Sequence, residues 1–319
     1  MMTKRKIGIT FVGLNAAYLD KIQAVAPNFD IIVAEKDDAA LTDCEVIFGN
    51  PSKSVLANAD NLKWLHTETA GVDAYAHRDS GLADGVILTN SVGAYGIGIS
   101  EHLLTLTLML LRKMDEYGKV QAQAKWQDLG RVRALYGSLV TVVGIGDIGG
   151  NFAARCKALG AMVYGVSRTA RNEVPLWADK LFSVDKLDEA VQNADVVALC
   201  LPGTADTVGL FDKNRLAAMK KGALLLNVGR GSAIDQDALI AGLKSGHLGG
   251  AGLDVTSPEP LPVDSPLWHI PNVIITPHIS GGHSLELTVD LIIGKFVRYL
   301  ADYVAGRPFE HVVNRESGY

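Results

Sequence analysis

The sequence predicts an α/β protein built as two units, each a parallel sheet covered by helices. Three observations predict it. Short runs rich in Val, Ile and Leu alternate with helix-length segments. The alternation restarts after a long apolar helix beginning near Ser100. The second series opens on "SLVTVVGIGDIGG", a strand that breaks into closely spaced glycines and runs on as a helix. With 319 residues, 48% hydrophobic content and a mean hydropathy of +0.17, the chain is long enough to bury two cores.

In chain order, "KIGITFVG", "FDIIVAE", "EVIFGN", "LKWLHTETAG" and "GVILTNS" read as five strands within the first 91 residues, spaced by helical segments such as Ala16 to Val25. Lys4, Arg5 and Lys6 before the apolar run Ile7 to Leu14 imitate a secretory leader. That run is short and holds two glycines, so a first strand explains it better. Next comes "SVGAYGIGISEHLLTLTLMLLRKM", whose glycines suit a hinge and whose helix has too little polar face for a lone surface element. Its apolar stretch, Leu103 to Leu111, is far shorter than the roughly 20 residues that span a bilayer, and a cytoplasmic location is expected. Seven more strands follow: "SLVTVVGIG", "AMVYGVS", "LFSV", "DVVALCLP", "ALLLNVG", "GAGLDV" and "VIITPHI". They are apolar on both faces, as a covered parallel sheet requires. A helix from about Leu287 and the segment "FEHVVN" have no obvious place in the second sheet.

A net charge of −5 and a pI near 5.9 argue against nucleic-acid or acidic-membrane partners, because no overall positive field attracts phosphates. Cys44, Cys156 and Cys200 are far apart and lack CxxC or Cys/His spacing. Buried free thiols are expected, with no disulfide framework and no metal site.

Gly144, Gly146 and Gly149 form G-x-G-x-x-G between the strand "SLVTVV" and the helix "NFAARCKALG". The first glycine permits a tight turn, the second admits a pyrophosphate close to the backbone, and the third lets helix pack on strand. The helix N-terminus offers unpaired N–H groups to the phosphates. A dinucleotide site is therefore expected. At the end of the next strand, where NAD sites place an acid for the ribose 2′-OH, stands Ser167, followed by Arg168, Thr169 and Arg171. Positive charge and hydroxyl donors suit a 2′-phosphate, which an acid would repel. NADP(H) is expected to be preferred and NAD(H) to remain possible. The alternative is a solvated Arg168 and a Ser167 that tolerates either cofactor.

Downstream, "LLNVGRGSAID" carries Arg230, "GAGLDVTSPEPL" carries Asp254 and Glu259, and "VIITPHISGG" carries His278, each just past a predicted strand. Ligands of open parallel sheets collect at that edge. The order "GIGDIG", "LPGTADTVGLFD", "LLNVGRG", "GLDVTSPEPL", "TPHISGG" resembles the D-isomer-specific 2-hydroxyacid dehydrogenase family, which includes phosphoglycerate dehydrogenases, D-lactate dehydrogenases and glyoxylate/hydroxypyruvate reductases.

The resemblance implies two Rossmann-like doubly wound domains. Residues 100–287 would be the cofactor domain, inserted into a discontinuous substrate domain of residues 1–99 and 288–319. It implies that Arg230 grips the substrate's carboxylate and keto oxygen, for which a planar fork is suited. His278 would be the general acid and Glu259 its partner carboxylate, favouring the protonated ring. Asp147 and Ile148 would lie over the pyrophosphate, Pro202 and Thr207 on the adenine and ribose side, and Val228, Asp254, Ser280 and Gly281 near the nicotinamide. The backbone N–H groups of Ala70 and Gly71 in "TETAGVD" would hold the substrate carboxylate; an ordinary turn is the plainer reading of that loop.

The resemblance also implies a twofold homodimer. Ser167 and Arg168 resemble the NADP-using reductases, and no regulatory domain of the kind many phosphoglycerate dehydrogenases carry is expected. Glu68, beside the carboxylate loop, would repel a second anionic group if it faces the substrate, or it simply faces water. A small, singly charged 2-keto acid such as glyoxylate or hydroxypyruvate is therefore the expected substrate. An NAD-dependent lactate- or phosphoglycerate-type dehydrogenase is the alternative. A dinucleotide-sensing corepressor is the non-enzymatic alternative the fold permits.

Overall fold

The structure is a computed structural model that describes residues 5–169 and 173–315. The chain divides into two compact units. One runs to Tyr95 and resumes at His283; the other spans Gly96–Gly282.

The first unit contains β1 (Arg5–Ile9), α1 (Ala16–Val25), β2 (Phe29–Val33), β3 (Val46–Phe48), α2 (Lys53–Leu56), β4 (Trp64–His66), α3 (Asp73–Ala76) and β5 (Ile87–Thr89). Its five strands are all parallel in the order β2-β1-β3-β4-β5. This is a doubly wound order that reverses between β1 and β3. Ile9, Phe48, His66 and Thr89 are register partners across four strands, so these strands end at one level. The sequence reading placed all five.

The second unit contains α4 (Gly96–Arg112), α5 (Met114–Ala122), β6 (Leu139–Val143), α6 (Asp147–Ala158), β7 (Met162–Ser167), β8 (Lys180–Ser183), α7 (Leu187–Val191), β9 (Val196–Leu199), α8 (Lys213–Ala218), β10 (Leu224–Asn227), α9 (Gln236–Lys244), β11 (Gly250–Leu253) and β12 (Val273–Ile275). The sheet order is β12-β11-β10-β9-β6-β7-β8, again parallel throughout. Strands β6, β9, β10 and β11 are buried along their whole length, which accounts for their lack of polar alternation.

The chain returns to the first unit as α10 (Glu286–Val304), whose Phe296 stacks on Phe48 with ring centroids 4.1 Å apart. The segment after it also belongs there. Val313 joins the core around Leu65 and Leu88, and its N–H donates to the Leu88 carbonyl at 2.8 Å. This is why "FEHVVN" fits no second-sheet strand.

Helix α4 differs from the sequence reading. It begins at Gly96 rather than near Ser100, so Gly96 and Gly98 are helical and not an open hinge. Gly96 lies close against α6: a Cβ there would stand 2.2 Å from Asp147 Oδ1 and 2.6 Å from Asn151 Nδ2. A larger residue there would have to displace those two side chains. The apolar side chains of α4, such as Leu103 and Leu106, are buried within its own unit. Cys44 and Cys156 are buried, Cys200 is partly so, and all three are free thiols. Among the described residues no helix is long and apolar enough to cross a membrane.

Candidate active site

Register brings the candidate residues to one edge of the second sheet. Val143, Leu199, Asn227, Leu253 and Ile275 are aligned partners across β6, β9, β10, β11 and β12. The residues that follow them therefore leave the sheet together. They carry Gly144, Pro202, Arg230, Asp254 and His278.

The glycine turn lies between β6 and α6, where the strand order reverses between β6 and β9. Gly144 has φ +92°, and a Cβ there would stand 2.4 Å from the Cys200 carbonyl oxygen. A Cβ on Gly149 would stand 1.9 Å from the Gly144 carbonyl oxygen, because α6 is pressed against the turn. Gly146, at the N-cap of α6, differs: no atom stands within 4 Å of where its Cβ would be. The two outer glycines are required by protein packing, and the middle one leaves space at a helix N-terminus. That combination fits a dinucleotide pyrophosphate. Asp147 and Ile148 form the first turn of α6 and are partly exposed.

At the end of β7, Ser167 Oγ donates to the Thr169 carbonyl at 2.7 Å, and Arg168 and Thr169 are exposed. Arg171 lies outside the described residues. Beyond β9, the Thr207 hydroxyl lies 2.8 Å from the Pro202 carbonyl and 2.9 Å from that of Thr204, closing the loop on itself.

Arg230 sits between two glycines for steric reasons. A Cβ on Gly229 would stand 2.5 Å from the Leu201 carbonyl oxygen, and one on Gly231 would stand 1.9 Å from that of Thr256. Buried Asn227 buckles the loop: its Nδ2 donates to the Arg230 carbonyl at 2.9 Å, and its Oδ1 accepts from Gly229 N–H at 3.0 Å. The Arg230 guanidinium donates to the Gly229 carbonyl at 2.9 Å. Val228 is buried beside it.

His278 Nδ1 lies 2.8 Å from Glu259 Oε2, and both side chains are open to solvent. Glu259 is held in turn by the Thr256 N–H, which donates to its Oε1 at 3.0 Å. His278 has φ +54°, the left-handed region that non-glycine residues rarely enter and that concentrates at functional sites. The surrounding structure enforces it. His278 N–H donates to the Asp254 carbonyl at 2.8 Å, and the Ile279 and Ser280 N–H groups each donate to the Asp254 carboxylate at 3.0 Å. Thr276 Oγ1 donates to the same carboxylate at 2.6 Å, and the His102 Nε2 on α4 lies 3.0 Å from that hydroxyl. Since the Thr276 proton goes to Asp254, His102 Nε2 is the donor of its pair. Burial pushes the Asp254 carboxyl up, but hydrogen bonds from Ser280, Thr276 and the Ile279 N–H outweigh it and hold the group below its ordinary value.

Asp254 thus fixes the loop that carries His278, Ser280 and Gly281. Sequence reasoning had placed it near the nicotinamide and had not found Thr276, His102 or Asn227. The Thr of "TPH" was the available signal; His102, from a remote helix, left none.

In the first unit, Ala70 and Gly71 are partly exposed in the loop after β4. Asn90 Nδ2 donates to the Ala70 carbonyl at 2.8 Å, and Thr69 Oγ1 to that of Gly71 at 2.7 Å. Glu68 does not face water. It is 9% exposed, and Asn50 Nδ2 donates to its Oε1 at 2.8 Å. Burial pushes its carboxyl up to about 7, with the Asn50 hydrogen bond pulling the other way. With a value near 7 the group is about half ionised at neutral pH, which weakens but does not remove the charge argument against phosphorylated substrates.

Comparison with known proteins bears on these observations. Residues 104–280 match the family described as D-isomer specific 2-hydroxyacid dehydrogenase, NAD binding domain. The D-3-phosphoglycerate dehydrogenase of Archaeoglobus fulgidus is 31% identical over 269 residues, 82% of this chain and 49% of the relative, so the chain spans about half of that protein's length. The D-isomer specific 2-hydroxyacid dehydrogenase of Xanthobacter autotrophicus Py2, solved with NADPH and MES, is 30% identical with a TM-score of 0.83, covering 99% of both chains. The NADPH-dependent glyoxylate/hydroxypyruvate reductase of Sinorhizobium meliloti, solved with NADP and sulfate, is 26% identical with a TM-score of 0.82, covering 99% of this chain and 100% of the other.

Proposed function

Since this chain belongs to the D-isomer specific 2-hydroxyacid dehydrogenase family, we propose that it is a reductase that takes a small 2-keto acid to the D-2-hydroxy acid with NADPH. The observation that carries this reading is the His278–Glu259 pair at 2.8 Å, in loops that leave the same sheet edge as Arg230 and the glycine turn. When bound, the reduced nicotinamide supplies the hydride.

The chain's own residues do the rest. Asp147, Ile148 and the turn glycines hold the pyrophosphate. Pro202 and Thr207 line the adenine and ribose side, and Val228, Asp254, Ser280 and Gly281 border the nicotinamide. Arg230 binds the carboxylate and keto oxygen of the substrate with its planar fork, and the backbone N–H groups of Ala70 and Gly71 also hold the carboxylate. Glu259 accepts from His278 Nδ1 and orients the ring, so the proton passes from His278 Nε2 to the carbonyl oxygen as that oxygen gains charge. The unit bounded by Gly96 and Gly282 is the cofactor domain and the other the substrate domain; the working assembly is a homodimer.

The preference for NADPH rests on Arg168, with Ser167 and Thr169, where an NAD site has an acid, and is in line with the NADPH-bound structures of similar chains. Arg168→Asp should reduce the ratio of kcat/KM with NADPH to that with NADH by roughly tenfold or more, the value of a charge-assisted hydrogen bond of about 1.5–3 kcal/mol. An unchanged ratio would remove Arg168 from the cofactor site. Initial rates across glyoxylate, hydroxypyruvate, pyruvate and branched-chain 2-keto acids with both cofactors test the whole reading, and no turnover with any of them would defeat it. The second reading, an NAD-dependent phosphoglycerate-type dehydrogenase, is favoured by the Archaeoglobus relative, and the partial ionisation of Glu68 near neutrality weakens the charge argument against it. Oxidation of 3-phosphoglycerate with NAD would establish it.

A further inference from the structure

Phe48 and His66 are register partners at the ends of β3 and β4, and Asn50 and Glu68 each lie two residues beyond them. The topology thus sets an amide beside a carboxyl at the sheet edge, directly before the loop of Ala70 and Gly71. One bond is explicit, Asn50 Nδ2 to Glu68 Oε1 at 2.8 Å. The two companion atoms, Asn50 Oδ1 and Glu68 Oε2, are buried and have no partner when both are counted as acceptors. Two orphaned acceptors in one pair of side chains is a costly arrangement, because each forfeits its hydration.

A single proton resolves both. If Glu68 is a carboxylic acid, Oε2–H donates to Oδ1 while Nδ2–H donates to Oε1, and the side chains close a cyclic acid–amide pair with every atom satisfied. We propose that Glu68 is a positioning residue that binds substrate-competent loop geometry to its own protonation: paired as an acid with Asn50 it holds the Ala70–Gly71 loop ready for a carboxylate, and on ionisation it opens the pair and places a buried negative charge beside that loop. This rests on the reading that the loop binds the carboxylate of a 2-keto acid.

The neighbouring titratable groups do not supply a competing charge change. Tyr95 donates to the Glu68 carbonyl at 2.5 Å, and Tyr75 to the Pro51 carbonyl at 3.1 Å. Burial, with the Glu68 charge adding to it, raises both phenols above their ordinary value, so they stay protonated. His66, on β4, is pushed down to about 3 by burial, with Lys295 adding to the effect, and stays neutral with its ring nitrogens against Thr89 and Ser91. Glu68 itself is pushed up to about 7 by burial, which puts its ionisation within the working range.

Glu68→Gln makes the test, because an amide at this position closes the same ring with Asn50 at every pH. The ratio of the wild-type KM for glyoxylate to that of E68Q should be near one at pH 6 and rise to about tenfold one pH unit above the ionisation, since only the protonated fraction is competent. The kcat ratio should stay level, and effects of His278 cancel between the two enzymes. A KM ratio that is flat with pH would overturn the proposal. Infrared difference spectra of the wild-type protein, which need no turnover, should show a protonated-carboxyl band at pH 6 that titrates away near neutrality and is missing from E68Q. If that band is absent at pH 6 the acid–amide pair is refuted. If it is present but no 2-keto acid is turned over, the functional reading fails instead.

Discussion

Asp254→Asn tests whether one buried carboxylate holds the His278 loop. The variant keeps the shape of the side chain and removes its charge. In the wild type Oδ1 accepts from Thr276 and the Ile279 N–H, and Oδ2 accepts from the Ser280 N–H. Whichever way the new amide turns, its NH2 faces a donor. The less costly orientation keeps the oxygen towards Thr276 and Ile279 and sets NH2 against Ser280.

At 1% exposure water cannot step in. One hydrogen bond to a charged acceptor is lost and a buried N–H is left unpaired, a penalty of about 2–3 kcal/mol. For a domain of this size that lowers Tm by roughly 4–12 °C. Because hydrogen bonds hold the Asp254 carboxyl below its ordinary value, its contribution is complete above the unfolded-state value and fades as pH falls through the folded-state value. Thermal scans of both proteins from neutral to acid pH should therefore show a Tm gap that is widest near pH 7 and closes in acid. Equal Tm at pH 7, or a gap that widens in acid, would refute the role given to Asp254.

Three further outcomes are expected. Replacing His278 with Asn should cut turnover by about 10^2–10^4 while NADPH affinity, read by fluorescence titration, stays nearly constant; full turnover would reject it as the proton donor. Gly149→Ala forces a Cβ to 1.9 Å from the Gly144 carbonyl oxygen and should destabilise the protein by about 1–3 kcal/mol or more, whereas Gly146→Ala, with open space, should fold normally and bind dinucleotide more weakly. Reversal of that pattern in Tm and cofactor titration would contradict the assignment of the turn. Glu68 keeps its proton in the folded state up to about pH 7, while the unfolded chain releases it from 4.5 upward. Wild-type stability is therefore drawn down across that window by about 3 kcal/mol at about 1.4 kcal/mol per pH unit, and E68Q should gain on the wild type from pH 4.5 to 7 and not below, as urea unfolding across pH would show.

Much of this was legible in the order of residues. Apolar runs bounded by turn residues and separated by helix-length segments located the strands of both sheets, because a covered parallel strand must be apolar on both faces. The spacing of Gly144, Gly146 and Gly149 between a strand and a helix pointed to a phosphate cradle, and the structure has a turn that tolerates no side chain at its first and third positions. "GRG", "SPEP" and "TPH" pointed to Arg230, Glu259 and His278 as candidates, of which the last two lie within hydrogen-bond distance in the structure. Tertiary structure decided what these pieces meet: the close approach of Gly96 on α4 to Asp147 and Asn151 of α6; the support of the His278 loop by Asp254, Thr276 and His102; and the burial of Glu68 against Asn50. The physical reason is the same in each case. Local patterns report which surface an element must hide, but a partner that approaches from another strand or helix is chosen by register and packing, and a carboxyl such as Glu68 holds its proton to higher pH in the fold than in water only because of that choice.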